Sequence, residues 1–169
     1  MKDEDLKITV MDKGYLIEVS GRANFDYAVP LRELAEKLVP GNWIQFDMEC
    51  CESMDSTFMG VLTMLALKLR KSGSPQIMLI NASAQLNKLL RDLGVAKLFK
   101  FVSGEESGVA GKNSGSVVEL SSGKTLLDTA QTVVDAHKTL VEADSSNADK
   151  FNQVIEFAEQ DVQRLKDNK

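Results

Sequence analysis

The segment with the clearest chemical potential is CESMDSTFMGVL, residues 51–62. A predicted strand leads into it and an aliphatic helix is predicted to begin near Asp55, so Ser56 and Thr57 stand at a helix N-terminus. Unpaired backbone N–H groups and the positive end of the helix dipole favour an anion there. A phosphate on the Ser56 hydroxyl would therefore be tolerated with little local refolding. The alternative is purely structural: Ser53 or Asp55 caps the helix, and Ser56 only fills its first turn.

The inventory of reactive residues excludes most catalytic chemistry. Cys50 and Cys51 are the only cysteines and are adjacent, which excludes a disulfide framework and a cysteine-based zinc site within one chain. Cys50 continues the buried face of its strand, whereas Cys51 is the candidate for a reactive thiol. His137 is the only histidine, and we expect it to be packed on a helix seam. With no base predicted beside a nucleophile and no Ser-His triad expected in the first two-thirds of the chain, we expect no catalytic residues, metal or cofactor, and no enzyme.

Two weaker patterns have simpler explanations. Residues 122–125 (SGKT) end like a phosphate-binding loop, but Val118 stands where that loop requires its first glycine, and no strong strand precedes it. Glu49, Glu52 and Asp55 are close enough in sequence for a cation site. Their alternation around a strand end is instead typical of solvated residues.

Length, composition and charge restrict the class of protein. The chain has 169 residues, 43% hydrophobic and 27% charged, which predicts one soluble domain or one domain with an appendage. A net charge of −5 provides no basic field for nucleic acid, so no such partner is expected. The charge-free stretch 56–67 is shorter than the roughly 20 residues that cross a bilayer, so no membrane span is expected. The acidic start, MKDEDLKITV, does not read as a secretory signal, and we expect a cytoplasmic protein.

The first hundred residues alternate between strand and helix patterns. Period-two alternation predicts strands over 6–10, 15–19 and 43–50, the first two forming a hairpin. Residues 76–81 predict a more fully buried strand, and 98–102 can form a last strand. Helical spacing predicts helices over 28–38, 56–71 and 83–94, the last ended by Gly94. Crossover helices between strands require a parallel sheet core, and clean alternation indicates that one sheet face is buried. The predicted fold class is α/β, a two-layer mixed sheet with helices on one face.

The remainder of the chain has a different character. Residues 104–125 are rich in Gly and Ser and predict a linker, in which VVEL at 117–120 could form a short strand. Residues 126–169 place apolar side chains at heptad spacing and predict two amphipathic helices, with residues 144–147 breaking the pattern and capping the second helix. Neither helix is long enough to be stable alone, so they pack on each other, on the sheet or on a second copy. The predicted organisation is an α/β domain (1–103), a linker (104–125) and a helical-hairpin extension (126–169).

The segment at residues 51–62, in this order of elements, resembles the STAS family, in its anti-sigma-factor antagonist type. The family pattern is a strand ending in an acidic residue, then Asp-Ser-Ser/Thr-Gly-hydrophobic-Gly and an aliphatic helix. This chain supplies Asp55, Ser56, Thr57, Phe58, Met59, Gly60, Val61 and Leu62. Further similarities are Gly21-Arg22 after the second strand, Leu31 in the first helix, Asp47 in the third strand, and LRDLGVAKLFKFV at the end. The resemblance covers about residues 5–103 and implies a STAS-like domain.

The resemblance implies a phosphorylation-controlled protein-binding switch without catalysis of its own. Ser56 matches the family's phosphorylated serine, with Thr57 as second choice. The unphosphorylated form would bind an anti-sigma factor that is also a serine kinase of the histidine-kinase ATPase fold. Phosphorylation would end that binding, and a PP2C-type phosphatase would restore it. The implied partner-binding residues are Asn24, Asp26, Asp55, Ser56, Thr57 and Phe58.

Two of these residues depart from the family pattern. Asn24 stands where the family usually has Asp, which removes one charge near the expected phosphoacceptor, and Asp26 is the candidate replacement. Phe58 stands where the family has Gly, and a bulky side chain would change the surface that a partner contacts. Phe58 has an equally good structural explanation as a core residue, like Met59 and Leu62.

Two other functions remain open at the level of sequence. A STAS subunit that binds the ATPase of an ABC lipid-transport system has the same outline and needs no phosphoserine, although the intact Asp55-Ser56-Thr57 favours the switch. A structural role is the second, in which the helices of residues 126–169 form a homodimer or dock on a scaffold.

Overall fold

The computed structural model describes residues 5–104, 116–117 and 125–168. In chain order its elements are β1 (Asp5–Met11), β2 (Gly14–Ala23), α1 (Phe25–Glu36), β3 (Trp43–Asp47), β4 (Cys51–Met54), α2 (Ser56–Lys71), β5 (Ile77–Ile80), α3 (Ala84–Asp92), β6 (Phe99–Val102), β7 (Ser116–Val117), α4 (Leu126–Ala143) and α5 (Ala148–Asp167). Most of the predicted linker and of the strand at 117–120 lies outside the described residues. β7 itself is a two-residue strand beside β1.

The predicted α/β architecture is confirmed. The sheet runs β6-β5-β3-β2-β1-β7, with β4 paired to the far end of β2. β1 is antiparallel to β2 and β7, whereas β2, β3, β5 and β6 are mutually parallel. Ile17, Phe46 and Leu79 occupy the helix-covered face and are at most 1% exposed, as their alternation predicts. Helices α1, α2 and α3 cover that face.

The predicted strand at 43–50 ends early, at Asp47, and a separate strand follows it at Cys51–Met54, which corrects the expected element order. β3 ends at Asp47, and a tight turn follows in which the amide of Cys51 donates to the Met48 carbonyl at 3.1 Å. β4 then pairs in parallel with the end of β2, Ala23 opposite Met54. The turn shifts the alternation, so Cys51 is buried and Cys50 is only half-buried. The prediction that Cys50 rather than Cys51 lies in the core is therefore wrong.

The buried position of Cys51 predicts low thiol reactivity, contrary to the sequence expectation. Loss of solvation raises the pKa of Cys51 from 9.0 to about 11, which lowers its thiolate fraction near pH 8 by about a hundredfold. Iodoacetamide at pH 8 should therefore alkylate Cys50 first, and Cys51 at a comparable rate only in urea. Peptide mapping of the native chain provides the measurement, and equal native rates at the two thiols would contradict this burial.

The C-terminal hairpin, α4 and α5, forms a third layer on the helices. α4 packs against α2 and α1, and α5 packs against α4. Ala136 and Leu140 of α4 belong to the same core as Phe58. A second side of α4 supplies Val134, which packs with Ala158 and Val162 of α5 along the predicted seam. Of the alternatives left open by the sequence, packing of the two helices on each other is confirmed, and α4 also packs on α1 and α2. No helix within the described ranges has the length and apolarity needed to cross a membrane.

The turn between α4 and α5 attaches the hairpin to the rest of the fold. Asn147 is fully buried, and its Nδ2 donates to the carbonyls of Leu93 and Leu140, each at 2.9 Å. Its side chain makes no capping bond to α5, because two buried carbonyls take its donors. Within the predicted capping segment, Asp144 instead caps the short turn that leads into α5, accepting from the amide of Ser146 at 3.0 Å. Gly94 ends α3 at φ +72°, as predicted, and a Cβ there would lie 2.0 Å from the Asp144 carboxylate. This glycine therefore allows the close approach of the two turns.

Candidate functional site

Two helix N-termini lie side by side at the end of the β2–β4 pair. The backbone amide of Asp55 donates to the carbonyl of Ala23 at 2.9 Å, so α1 and α2 begin at adjacent points. Asn24 caps α1, accepting from the amide of Asp26 at 2.9 Å. Asp55 caps α2, accepting from the amide of Phe58 at 2.8 Å. Ser56 is the first residue of α2, which places its hydroxyl at the positive end of the helix dipole.

The structure divides the six predicted partner-binding residues into two groups. Asn24, Asp26, Asp55 and Ser56 are half-buried or exposed and cluster at the two helix starts. Thr57 is 6% exposed and Phe58 is fully buried, so neither offers a surface to a partner. The core explanation given for Phe58 holds in this structure, and a role of Phe58 and Thr57 in partner binding stays a prediction.

The residue that the sequence did not place at this site is His137 of α4. Its Nε2 lies 2.8 Å from the Ser56 hydroxyl oxygen, 81 residues away in sequence. Its Nδ1 lies 2.7 Å from the carbonyl oxygen of Val133, which can only accept. In the neutral ring Nδ1 therefore carries the hydrogen, and Nε2 accepts from the Ser56 hydroxyl. The sequence statement that no base stands beside a nucleophile is wrong, because α4 brings its histidine to the start of α2.

Burial determines the charge state of this pair. His137 is 2% exposed, and Phe151 of α5 meets its ring edge-on with centroids 5.0 Å apart. Desolvation lowers the pKa of His137 below 6.5, so the neutral ring is the stable form near pH 7. Desolvation also raises the pKa of Asp55, opposed by backbone N–H donors and by His137. The site therefore contains a neutral imidazole, a hydroxyl donor and a partly desolvated carboxylate.

The burial of His137 predicts a pH dependence of stability. Because folding lowers the His137 pKa, the unfolded chain binds more protons below its ordinary value of 6.5. This contribution to stability is complete above that pH and is lost as the pH falls toward the folded pKa. Urea titrations at pH 8.0 and 5.5 should show a larger loss for the native chain than for His137→Gln. Equal losses in the two proteins would show that His137 does not titrate in this way.

Around this pair, α4 is fitted closely to α1 and α2. A Cβ added to Gly60, one turn after Ser56, would lie 2.4 Å from the Ala136 carbonyl oxygen, so only glycine permits this approach. Arg32 of α1 forms an ion pair with Asp135 of α4 at 2.5 Å. The start of α2 is thus covered on one side by a helix of the same chain.

The described residues supply no metal centre. No group of three His, Cys, Asp or Glu side chains among them is arranged to hold an ion. Glu49 and Glu52 are exposed, while Asp55 is used as a helix cap. Cavities of about 520 and 530 Å³ lie elsewhere, one lined by residues near Ala66 and Lys97 and the other by residues near Glu49 and Phe101, and Ser56 lines neither.

Comparison with known proteins gives distant structural likenesses. No protein-family model matches the chain, and no curated protein matches it. The anti-sigma factor antagonist SpoIIAA in its unphosphorylated form is 17% identical, with a TM-score of 0.45 over 52% of this chain and 82% of its own. The Bacillus cell fate determinant SpoIIAA in its phosphorylated form is 17% identical, with a TM-score of 0.48 over 60% and 95%. A candidate anti-sigma factor antagonist from Thermotoga maritima is 15% identical, with a TM-score of 0.48 over 56% and 83%. Likenesses of this degree identify no partner, ligand or modification of this chain.

Proposed function

We propose that this chain is a cytoplasmic protein-binding switch of the anti-sigma-factor antagonist type, controlled by phosphorylation of Ser56. In the unphosphorylated state it binds an anti-sigma factor that is also a serine kinase of the histidine-kinase ATPase fold. Phosphorylated, it releases that partner, and a PP2C-type phosphatase returns it to the binding state. The switch belongs to a bacterial partner-switching pathway that regulates transcription.

The observation that carries this proposal is the position of Ser56. It is the first residue of a 16-residue helix, directly after the Asp55 cap, in the segment that resembles the family's phosphoserine motif. Of the two candidate hydroxyls, that of Ser56 belongs to a half-buried residue, whereas Thr57 is buried. Asn24 and Asp26 lie at the neighbouring helix start and supply polar surface beside it.

The chemistry at Ser56 fits a charge switch. A kinase transfers the γ-phosphoryl group of a nucleoside triphosphate to the Ser56 oxygen, which loses its hydrogen as the nucleoside diphosphate leaves. The product adds about −1.5 to −2 charge, which the N–H groups and dipole of α2 tolerate. A partner surface that fits the neutral hydroxyl then meets a dianion beside the Asp55 carboxylate. Desolvation and like-charge repulsion of a few kcal/mol are enough to change affinity by orders of magnitude.

We also propose that the pair of Ser56 and His137 is structural and that the chain is not an enzyme. His137 is oriented by the Val133 carbonyl, which lacks the charge of a triad carboxylate, and its ring is enclosed by the hairpin. Turnover of activated esters or phosphate esters that disappears in Ser56→Ala would overturn this view. The expected result is no turnover above that of the Ser56→Ala variant.

An affinity pull-down from the native host tests the proposed function. The full chain is used as bait in the native form and as Ser56→Ala and Ser56→Asp, with Ser83→Asp as the matched control. Ser83 is an exposed helix cap on α3, so its substitution places the same charge at another helix start. A kinase-fold anti-sigma factor should be recovered with the native, Ser56→Ala and Ser83→Asp forms and lost with Ser56→Asp.

Two results would contradict the proposal. Recovery of the same kinase-fold protein with all four baits would show that charge at Ser56 does not control binding. Recovery of an ABC transporter ATPase equally with all four would identify a transport accessory subunit, and Ser56 would be only a helix-start residue.

A further inference from the structure

We propose that the α4–α5 hairpin is a gate that closes over unphosphorylated Ser56 and that a phosphate on Ser56 releases it. This inference rests on the proposed function, because it concerns how the same serine is exposed and regulated. The hairpin lies outside the segment that resembles the STAS family, so the gate is a property of this chain's own extension.

The contact between Ser56 and His137 is too close to accommodate a phosphate. The Ser56 oxygen and His137 Nε2 are at hydrogen-bond distance, 2.8 Å, which leaves no space for a phosphorus atom and its oxygens between them. One turn later the helices are closer still, since Gly60 meets the Ala136 backbone without space for a methyl group. A phosphate directed at His137 therefore fits only if α4 moves away from α2.

The direction of the hydrogen bond between Ser56 and His137 also disfavours a phosphate in the closed form. With its Nδ1–H held by the Val133 carbonyl, neutral His137 needs a donor at Nε2, and the Ser56 hydroxyl is that donor. A phosphate ester has no hydrogen on that oxygen, and its other oxygens accept only when ionised. The modification thus leaves a buried nitrogen, in a ring 2% exposed, facing an acceptor. An unsatisfied buried polar group is unfavourable, so the closed form, with α4 packed on α2, becomes less stable relative to the open form.

The charge of a phosphate on Ser56 would also need a compensating cation in the closed form. Within residues 5–104 and 125–168, no Lys or Arg forms a hydrogen bond or ion pair with Ser56 or His137; Arg32, on the neighbouring helix, is paired with Asp135. The ionisable groups that interact within the site are Asp55 and His137 itself. Protonation of His137 could neutralise part of the phosphate charge, but burial opposes that protonation. The adjacent Asp55 carboxylate adds repulsion on the same side.

The gate also explains how the buried histidine relates to partner binding. A partner or kinase that reaches the Ser56 hydroxyl takes the position that His137 occupies in the closed form. Contact with the Ser56 oxygen from the side that His137 occupies therefore requires α4 to move away from α2, whichever protein makes it. In the unphosphorylated chain the closed hairpin competes with both and lowers the fraction of the chain that is available to either. In the phosphorylated chain the open hairpin leaves the phosphate accessible to the phosphatase, while the charge on Ser56 still keeps the partner from binding.

Hydrogen–deuterium exchange of the full-length chain tests the gate without a partner or a kinase. Phosphoserine is incorporated at position 56 during translation, and exchange is measured by peptide for residues 126–143 and for β2, β3 and β5. The matched control carries phosphoserine at Ser83, the exposed cap of α3. Ser56→Ala serves as a second variant, since it removes the hydroxyl donor without adding charge or volume.

The expected result is at least a tenfold increase in α4 exchange with phosphoserine at position 56, a smaller increase with Ser56→Ala, and none with phosphoserine at position 83, while the strands stay protected. Unchanged or slower exchange in α4 would overturn the gate, and slower exchange would indicate a phosphate–imidazolium pair. Equal increases in the phosphoserine and alanine forms would remove the role of the phosphate. Loss of protection in the strands as well would show that the hairpin has no independent opening.

Failure of the gate and failure of the proposed function give different results. An opened hairpin in this experiment, with no anti-sigma partner in the pull-down, would leave the gate and reject the switch. A partner controlled by Ser56, with unchanged exchange in α4, would leave the switch and reject the gate.

Discussion

Replacing Gly60 by valine is expected to lower the free energy of unfolding by about 3 kcal/mol. A Cβ at this position would lie 2.4 Å from the Ala136 carbonyl oxygen and 2.6 Å from its Cβ, and backbone atoms cannot move aside as a flexible side chain can. Gly60 lies inside α2, where a side chain is otherwise tolerated better than glycine. The whole loss should therefore come from unseating α4.

Urea unfolding measures the loss, and amide exchange of residues 126–143 shows whether it is located in α4. The control is Gly73→Ala, which adds a methyl group in open space beyond the other end of α2. Its φ of +71° predicts a backbone cost of about 1–2 kcal/mol without faster exchange in α4. If Gly60→Val were as stable as the native chain, α4 would not pack on α2 as described.

The second large effect is expected from Phe58→Ala, which should cost about 3–5 kcal/mol. Phe58 is fully buried and lies in the core beneath the start of α2. Removing the ring leaves a cavity that the surrounding helices and strands fill only in part. Chemical denaturation followed by circular dichroism measures the loss directly.

Phe25→Ala is the matched control, because Phe25 stands at the start of α1 and is 45% exposed. Its loss should stay below about 1 kcal/mol, as for most surface substitutions. If the two phenylalanines gave similar small losses, Phe58 would be a surface residue, and the partner-binding role that the sequence suggested for it would return.

The parts of the fold that could be predicted from sequence are those with a regular period. Strict alternation identified the opening hairpin and the buried strand face, and the aliphatic run after Asp55 identified α2 from Ser56 to Lys71. A helix-ending glycine, Gly94, identified the end of α3. These features depend on local geometry, so a single sequence contains the information for them.

The parts that could not be predicted depend on the meeting of distant segments. The turn at residues 48–50 shifts the strand alternation by one face, and only pairing of β4 with β2 reveals it. The heptad spacing in residues 126–169 predicted the side of α4 that packs against α5. It did not predict the second side of α4, which includes Ala136 and Leu140 and packs against α2. The one available signal for the contact of Ser56 with His137 was a polar ring on an apolar seam, which requires a hydrogen-bond partner when it is buried. Nothing in the spacing indicates which partner that is.

Phosphosite mapping of the native protein shows directly whether Ser56 is phosphorylated in the cell. The chain is isolated from its host across growth and stress conditions with phosphatases inhibited, and tryptic peptides are sequenced by mass spectrometry. We expect a phosphate on Ser56, at an occupancy that changes with growth condition, and none on the buried Thr57. Phosphate absent from Ser56 in every condition, or present on Thr57 in its place, would contradict the proposed switch.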